Sequence, residues 1–501
     1  MSEEGVLIGL DIGTTSTKCG VFDTNGKLLA FSSASYSISY PSPGWAEQDP
    51  NSWWDAVKKV LNECISRVEN RKVLGITVSG QAPTLVVVDK KGKPLRPAIL
   101  WMDNRSVDEV KEIESKVGER VPVTFFPPKI LWVKNKEPEV FKRAYKMLGC
   151  KGYIYYKFTG EMGIDVSYEN LFLDPEKKEW RLDILEKLGI PDELMPKAFK
   201  SGELVGHVTK KAANETKIPE GTPVFAGGPY DMDVGEVGLG LIEEGTAGLI
   251  TGTSAVLLFV TKPNTIDLQG RIVGKPSLTT GKWKVEGIMS TAGGALEWYI
   301  KNFADVEQKI SRITGLSIYT LLEKEIVSIS PGADGLVFLP HLSGERAPYW
   351  SNVPRGVFLG LTLRHTKQHM LRAVYEGVAY HFRLFLEIAK EIGIPTPKEI
   401  RASGGMANSN AWLQIISDVL GVPIKVPSVL MSELLGDAII AAVSLKIYPS
   451  LKKACDSMIT FKKTISPDTS KYQLYNEMFN IYKSIFPKLK SEFEKISELF
   501  H

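Results

Sequence analysis

Val6-Leu7-Ile8-Gly9-Leu10-Asp11-Ile12-Gly13-Thr14-Thr15-Ser16-Thr17-Lys18-Cys19-Gly20-Val21-Phe22-Asp23 joins an apolar run, a turn of glycine and hydroxyl residues, and a second strand-like run. Asn25-Gly26 follows, a type I′ hairpin signal, and residues 27–32 supply a third strand. The stretch therefore predicts an antiparallel meander of three strands. Downstream, residues 52–68 carry helical periodicity, while residues 73–78 and 84–88 read as strands. Such mixing indicates an α/β domain. The same grammar returns later in the chain. Gly248-Leu249-Ile250 is apolar, Thr251-Gly252-Thr253-Ser254 is a glycine and hydroxyl turn, and residues 256–260 are apolar again. Two copies suggest two similarly built lobes, each turn offering N–H groups and hydroxyls to a phosphate chain. The alternative is a pair of unrelated hairpins. On the duplicated reading the boundary falls near residues 241–245, giving lobes 1–243 and 244–501.

Composition narrows the class. The 501 residues are 43% hydrophobic and 24% charged, as in folded globular chains, which excludes disorder and collagen. The formal charge, 61 − 58 = +3, is too balanced for a protein that coats nucleic acid or an anionic membrane. Cys19, Cys64, Cys150 and Cys455 are widely spaced, so they read as reduced thiols of a cytoplasmic protein. Met1-Ser2-Glu3-Glu4 is acidic where a signal peptide is basic, which predicts no leader. No stretch is apolar enough for a spanning helix; residues 245–261 carry too many glycines and hydroxyls.

Two nucleotide signatures and one zinc signature are absent. No Gly-Lys pair precedes Ser or Thr, so there is no P-loop, and Gly235, Gly238 and Gly240 have the wrong order for a dinucleotide fingerprint. No HExxH occurs. The remaining candidates are dispersed. Asp11 ends the first strand and Lys18 lies just past its turn. Asp231 and Asp233 follow an apolar run and Gly227-Gly228, where glycine lets a ligand approach the backbone. Gly404-Gly405 end another strand-like run before a helix over 410–420, with Ser409 as its N-cap. Long helices are predicted over 367–392, with a stripe of Met370, Leu371, Val374, Val378, Phe382 and Phe385, and over 472–500. Any one of these carboxylates alone would read as a cap or turn residue.

Taken in order, the motifs resemble those of the FGGY family of carbohydrate kinases. Asp11 to Lys18 resembles its first phosphate motif, Gly44 to Pro50 its early helix lead-in, and Trp101-Met102-Asp103-Asn104-Arg105 its sugar-site W-x-D-x-R. Gly227 to Gly240 resembles the segment with the catalytic base, Asp231 standing at that position. Thr251-Gly252-Thr253-Ser254 resembles the second phosphate motif, Gly344 to Trp350 and Gly356 to Glu376 the C-terminal signature, and Ser403 to Ser409 the adenosine motif. The resemblance implies a two-lobed actin/hexokinase-like (ribonuclease H-like) α/β fold with a cleft between duplicated lobes. It implies ATP-dependent phosphorylation of a small sugar or polyol, with ATP and Mg²⁺ as cofactors, in a cytoplasmic enzyme that could form a homodimer.

The same resemblance assigns roles. Asp231 is the general base, and Asp11 and Asp231 face the Mg²⁺. Asp11, Thr14, Thr15, Ser16, Lys18, Thr253, Gly293, Gly405 and Ser409 hold ATP. Gln81, Ala82, Pro83, Trp101, Asp103, Arg105 and Asp231 form the sugar site, Trp101 serving either as packing or as a sugar platform. Phosphoryl transfer itself asks for in-line positioning, charge neutralisation and a base. Ser79-Gly80-Gln81, residues 96–101 and Thr159-Gly160-Glu161 are more similar to the xylulose-phosphorylating members, which points to a ketopentose such as D-xylulose. Five positions depart. Ala82-Pro83 stands where those members have Met-His, Met232 where Asn or Gln is usual, and Thr124 and Phe126 disturb the first signature. The departures leave ribulose, a deoxyketose, erythritol or glycerol as alternative substrates. They also keep a rival reading alive, a sugar-sensing pseudokinase.

Overall fold

The computed structural model describes residues 5–167, 170–277 and 279–500. The acidic Met1-Ser2-Glu3-Glu4 segment lies outside them. The chain forms two compact units. The first holds residues up to Gly240 together with Met431–Ile459, and the second holds Leu241–Ser277, Gly281–Leu430 and the chain from Thr460 on.

The first unit is built on six strands: β1 (Gly5–Ile12), β2 (Ser16–Asp23), β3 (Leu28–Ser35), β4 (Lys72–Gly80), β5 (Leu204–His207) and β6 (Pro223–Ala226). Their order is β5-β6-β4-β1-β2-β3. β1, β2 and β3 form the antiparallel meander read from the sequence, and β1 and β4 run parallel. All eight residues of β1 are buried, so the run is apolar without alternation, as a strand covered on both faces requires. The helix Pro50–Ile65 lays Trp53, Val57, Val60 and Leu61 against β2 and β3, with Asp49 accepting the Asn51 N–H as N-cap.

One local expectation is corrected. The β2–β3 connection is a hairpin, but not type I′, which needs positive φ at both central residues. Only Gly26 has it, at +83°; Asn25 does not. Gly26 N–H closes a turn onto Asp23, whose carboxylate accepts the N–H groups of Asn25 and Lys27. That side chain builds the turn, and Gly26 is required because a Cβ there would lie 2.1 Å from Met458 O.

The second unit repeats the plan on seven strands: β7 (Ala247–Thr251), β8 (Ala255–Thr261), β9 (Val273–Pro276), β10 (Trp283–Met289), β11 (Ile400–Gly404), β12 (Ile424–Pro427) and β13 (Phe461–Ile465). The order is β9-β10-β8-β7-β11-β12-β13. β7 and β8 form a tight hairpin, with Thr251 opposite Ala255, and β11 runs parallel to β7 as β4 does to β1. The helices Lys367–Glu391, Asn410–Leu420 and Tyr472–Phe500 stand where periodicity put them, and Ser409 caps the second by accepting the Trp412 N–H.

The lobe boundary read from sequence, 243/244, assigns everything after it to one lobe. In the structure, the helices Ser432–Ser444 and Leu451–Met458 pack with the first unit. The helix Ser432–Ser444 lies against β1 and the helix Asp231–Gly238. It is apolar around most of its circumference, so its residues demand burial without specifying where. Among the described residues, no helix is long and apolar enough to cross a membrane.

Candidate active site

In the first unit, strand pairing places Asp11 directly opposite Lys18. Lys18 Nζ lies 3.4 Å from Asp11 Oδ2 and 2.7 Å from Glu433 Oε1, 415 positions away in sequence. Asp231 opens the helix Asp231–Gly238, after β6 and the double glycine, and one of its carboxylate oxygens accepts the Met232 N–H. Burial, with the carboxylates of Asp231 and Glu433 nearby, pushes Asp11 up to about 7 against the pull of Lys18. Lys18, between two carboxylates, is pushed up as well despite its partial burial. The two shifts share a sign because desolvation outweighs the pull of Lys18 at Asp11, whereas at Lys18 desolvation is outweighed by the two carboxylates together. Asp231 is also raised, first by burial and then by Glu433, while Lys151 and Lys18 oppose the rise. A carboxylate raised toward neutrality suits a general base.

Other residues singled out in the sequence fall around this cluster. Thr14, Thr15 and Ser16 form the β1–β2 turn, closed by Gly13 N–H donating to Ser16 O. Thr15 is exposed, and Thr14 Oγ1 accepts the Trp101 indole N–H at 3.0 Å. Trp101 is therefore tied to the turn. Gln81 is buried, with its amide donating to Gly13 O and Gln48. It lines a cavity with Ala82, Pro83, Cys150, Lys151 and Tyr230. Asp103 and Arg105 do not line that cavity. Arg105 Nη2 meets Asp103 Oδ2 at 2.8 Å, Glu47 takes Nη1, and the guanidinium lies against the rings of both Trp45 and Trp132. Asp103 also accepts the Ala46 N–H, so the pair is a buried clamp for the lead-in loop.

Sequence reasoning missed three groups. Lys151 Nζ donates to the carbonyls of Gly228 and Pro229 and pairs with Asp165 at 3.2 Å, which holds the turn ahead of Asp231. Glu433 and Asp437 face Asp11 from the helix Ser432–Ser444. Asp437 Oδ2 accepts the Ser79 hydroxyl at 2.8 Å, and burial raises its carboxyl well above the usual range. A readable signal existed for these two: carboxylates four apart on an otherwise apolar helix share one face, and such residues are seldom buried without a task.

In the second unit, Gly252, Thr253, Gly293, Gly405, Asn408 and Ser409 line a cleft of about 520 Å³, with Tyr375 and Trp412 forming an aromatic end. Gly293 N–H donates to Gly252 O and Gly294 N–H to Thr253 O, which closes the β7–β8 turn onto the helix Gly293–Phe303. Thr251 Oγ1 donates to Ser403 O and accepts the Met406 N–H, fixing the glycine turn after β11. The cleft pairs aromatic surface with glycine turns and hydroxyl side chains, a combination that suits a purine nucleotide. Asp11 and Asp231 stand in the first unit, and Thr253, Gly293, Gly405 and Ser409 in the second.

The profile of the FGGY family of carbohydrate kinases matches this chain twice, its N-terminal domain over residues 6–238 and its C-terminal domain over residues 247–445. A xylulose kinase of Staphylococcus epidermidis is 32% identical over 494 residues, covering 97% of both chains. A gluconokinase of Bacillus subtilis is 31% identical over 506 residues, covering 98% of each. The crystal structure of xylulose kinase from Rhodospirillum rubrum is similar at a TM-score of 0.82 and 29% identity, over 98% of this chain and 100% of that one.

Proposed function

The chain belongs to the FGGY family of carbohydrate kinases, and from that premise we propose that it phosphorylates a neutral ketopentose, D-xylulose foremost, with Asp231 as general base. It is an ATP-dependent sugar kinase of the actin/hexokinase-like fold.

The choice of a neutral sugar rests on one observation. Among the described residues lining the first unit's cavity, Lys151 is the sole cation, and its ammonium is committed to Gly228 O, Pro229 O and Asp165. An ammonium has three N–H donors, so none remains for an aldonate carboxylate. A carboxylate buried without a partner is costly, which disfavours gluconate, the substrate class in the name of one relative. The lining amide, hydroxyl and phenol groups of Gln81, Thr84, Ser167, Asn170 and Tyr230 suit a polyol.

In this reading Asp231 accepts the proton of the attacking hydroxyl, a role worth roughly 10²–10⁴-fold. Lys151 positions it through the Gly228 and Pro229 carbonyls. Thr14, Thr15 and Ser16 offer hydroxyls to phosphate in the first unit, and Thr253 offers one in the second. Lys18, balanced between Asp11 and Glu433, adds positive charge beside them. Among the described residues, Asp11 Oδ1 is buried without a hydrogen-bond partner, which fits a Mg²⁺ held by Asp11 and Asp231. When bound, that ion neutralises phosphate charge.

The test is sugar-dependent ADP release across D-xylulose, D- and L-ribulose, a 1-deoxyketose, erythritol, glycerol and gluconate. The expected ranking puts D-xylulose or a close ketose first and gluconate last. Gluconate above every ketose would overturn the neutral-substrate reading. Nucleotide binding without turnover of any sugar would favour the pseudokinase.

A further inference from the structure

A second hollow lies in the second unit, partly within the Gly344–Trp350 motif, and its residues carry no binding role above. It has a volume of about 360 Å³ and is lined by Ser290, Ser343, Glu345, Arg346, Trp350 and Asn352. Arg346 is exposed, and among the described residues its guanidinium has no hydrogen-bond or ion-pair partner. Its backbone, by contrast, is fixed on both sides. Its N–H donates to Ser290 Oγ and Glu345 Oε1, at 3.0 and 2.9 Å, and its carbonyl accepts the N–H groups of Tyr349 and Trp350.

The support beneath is buried. Glu345 is 3% exposed, and its Oε1 also accepts the Ser290 N–H at 2.6 Å. Its Oε2 bonds His341 Nδ1 at 3.1 Å. Its backbone pairs with Ser351 in both directions, and Ala347 N–H donates to Ile288 O. Trp350 is held at φ +49°, a region a bulky residue occupies only when its surroundings force it, and its indole N–H donates to Arg271 O. A loop this constrained spends its order on presenting one free guanidinium.

A short hydrogen-bonded path connects the hollow to the glycine turn of the nucleotide cleft. Ser343 Oγ and Thr291 Oγ1 are hydrogen-bonded at 2.8 Å. Ala292 N–H donates to Thr253 O, and Gly293 and Thr253 line the cleft itself. Among the described lining residues the cleft has no Lys or Arg, while Glu297 and Glu323 are both there. A polyphosphate entering it gains no positive charge from those walls. Arg346 is a cation mounted beside this path, its N–H bonded to Ser290 Oγ two residues before Ala292.

We propose that Arg346 is a phosphate-binding residue that engages the terminal phosphates of ATP from the second unit. The inference rests on the nucleotide reading of the cleft. A guanidinium presents a planar fork matched to phosphate oxygens, and its rigid mount lowers the ordering cost of binding.

Calorimetric titration of the intact protein with ATP, adenosine and inorganic tripolyphosphate tests it, in wild type, Arg346→Gln and Arg346→Lys. Arg346→Gln should weaken tripolyphosphate binding about tenfold or more, as loss of a charge-assisted bond does. Adenosine binding should stay within about twofold of wild type, and Arg346→Lys should fall between. Unchanged tripolyphosphate binding in Arg346→Gln overturns the proposal. Equal loss of adenosine and tripolyphosphate also overturns it, since Arg346 then shapes the cleft rather than touching phosphate. Wild type that binds neither ATP nor adenosine defeats the nucleotide reading itself, a result separable from failure at Arg346.

Discussion

Asp231→Asn keeps the size and polarity of the side chain and removes its capacity to accept a proton. Sugar-dependent ADP release should fall by roughly 10²–10⁴-fold while ATP binding persists. Asp233, two residues on and buried, is the internal control. If Asp233→Asn produces the loss and Asp231→Asn retains most activity, the base assignment moves to Asp233. Thr253→Val keeps the shape of an exposed cleft residue and deletes its hydroxyl. A lost hydrogen bond to a charged group costs about 1.5–3 kcal/mol, so kcat/KM for ATP should drop roughly ten- to hundredfold with sugar KM little changed. Unaltered ATP kinetics would take the β7–β8 turn out of the nucleotide site.

Two helices of the first unit meet through glycine. A Cβ on Gly238, in the helix Asp231–Gly238, would lie 1.8 Å from Ser432 O. A Cβ on Gly436, in the helix Ser432–Ser444, would lie 2.0 Å from Val234 O. Both obstacles are backbone, so neither can swing aside. This crossing sets Asp231 on one helix near Glu433 on the other. Gly436→Ala should therefore separate the helices, with a stability loss of about 1–3 kcal/mol by urea denaturation. Activity should fall by more than the folded fraction does, because the carboxylates move apart. A Gly436→Ala enzyme with normal stability and normal kcat would show that the crossing is looser than its geometry indicates.

The second unit carries an acid-sensitive tie. His381 is fully buried, with Nδ1 at 2.9 Å from Tyr482 OH and Nε2 at 3.0 Å from Ala347 O. It thereby links the helices Lys367–Glu391 and Tyr472–Phe500 to the loop that holds Arg346. Groups facing it are Glu345, at 3.7 Å, and His341. Burial lowers His381 to about 4, against the pull of Glu345. The unfolded chain takes up this proton near 6.5 and the folded chain near 4, so the unfolded state binds more protons in between. Stability should fall as pH drops through that window, by roughly 1.4 kcal/mol per unit from this group. His381→Asn should flatten that part of the pH dependence, measured as urea midpoints from pH 7 to pH 4. An unchanged slope would assign the acid sensitivity to other groups.

The sequence alone determined the elements whose cause is local. An apolar run, a Gly-Thr turn and a second run specify β1 and β2 wherever they are placed, and the repeat at β7 and β8 specifies a second sheet. Apolar stripes fixed the long helices, and Ser409 announced the start of one. The motif order also carried the reaction class. Tertiary structure alone decided what depends on distant partners. The Asp103/Arg105 pattern reads as a sugar contact, yet Trp45, Glu47 and Trp132 enclose it, and enclosure is not a property of a five-residue motif. The helix Ser432–Ser444 is apolar enough to be buried against either sheet. Only the fit of Gly436 against Val234 and the charge of Glu433 beside Lys18 send it to the first unit. Periodicity shows that a face must be covered; complementarity of shape and charge chooses what covers it.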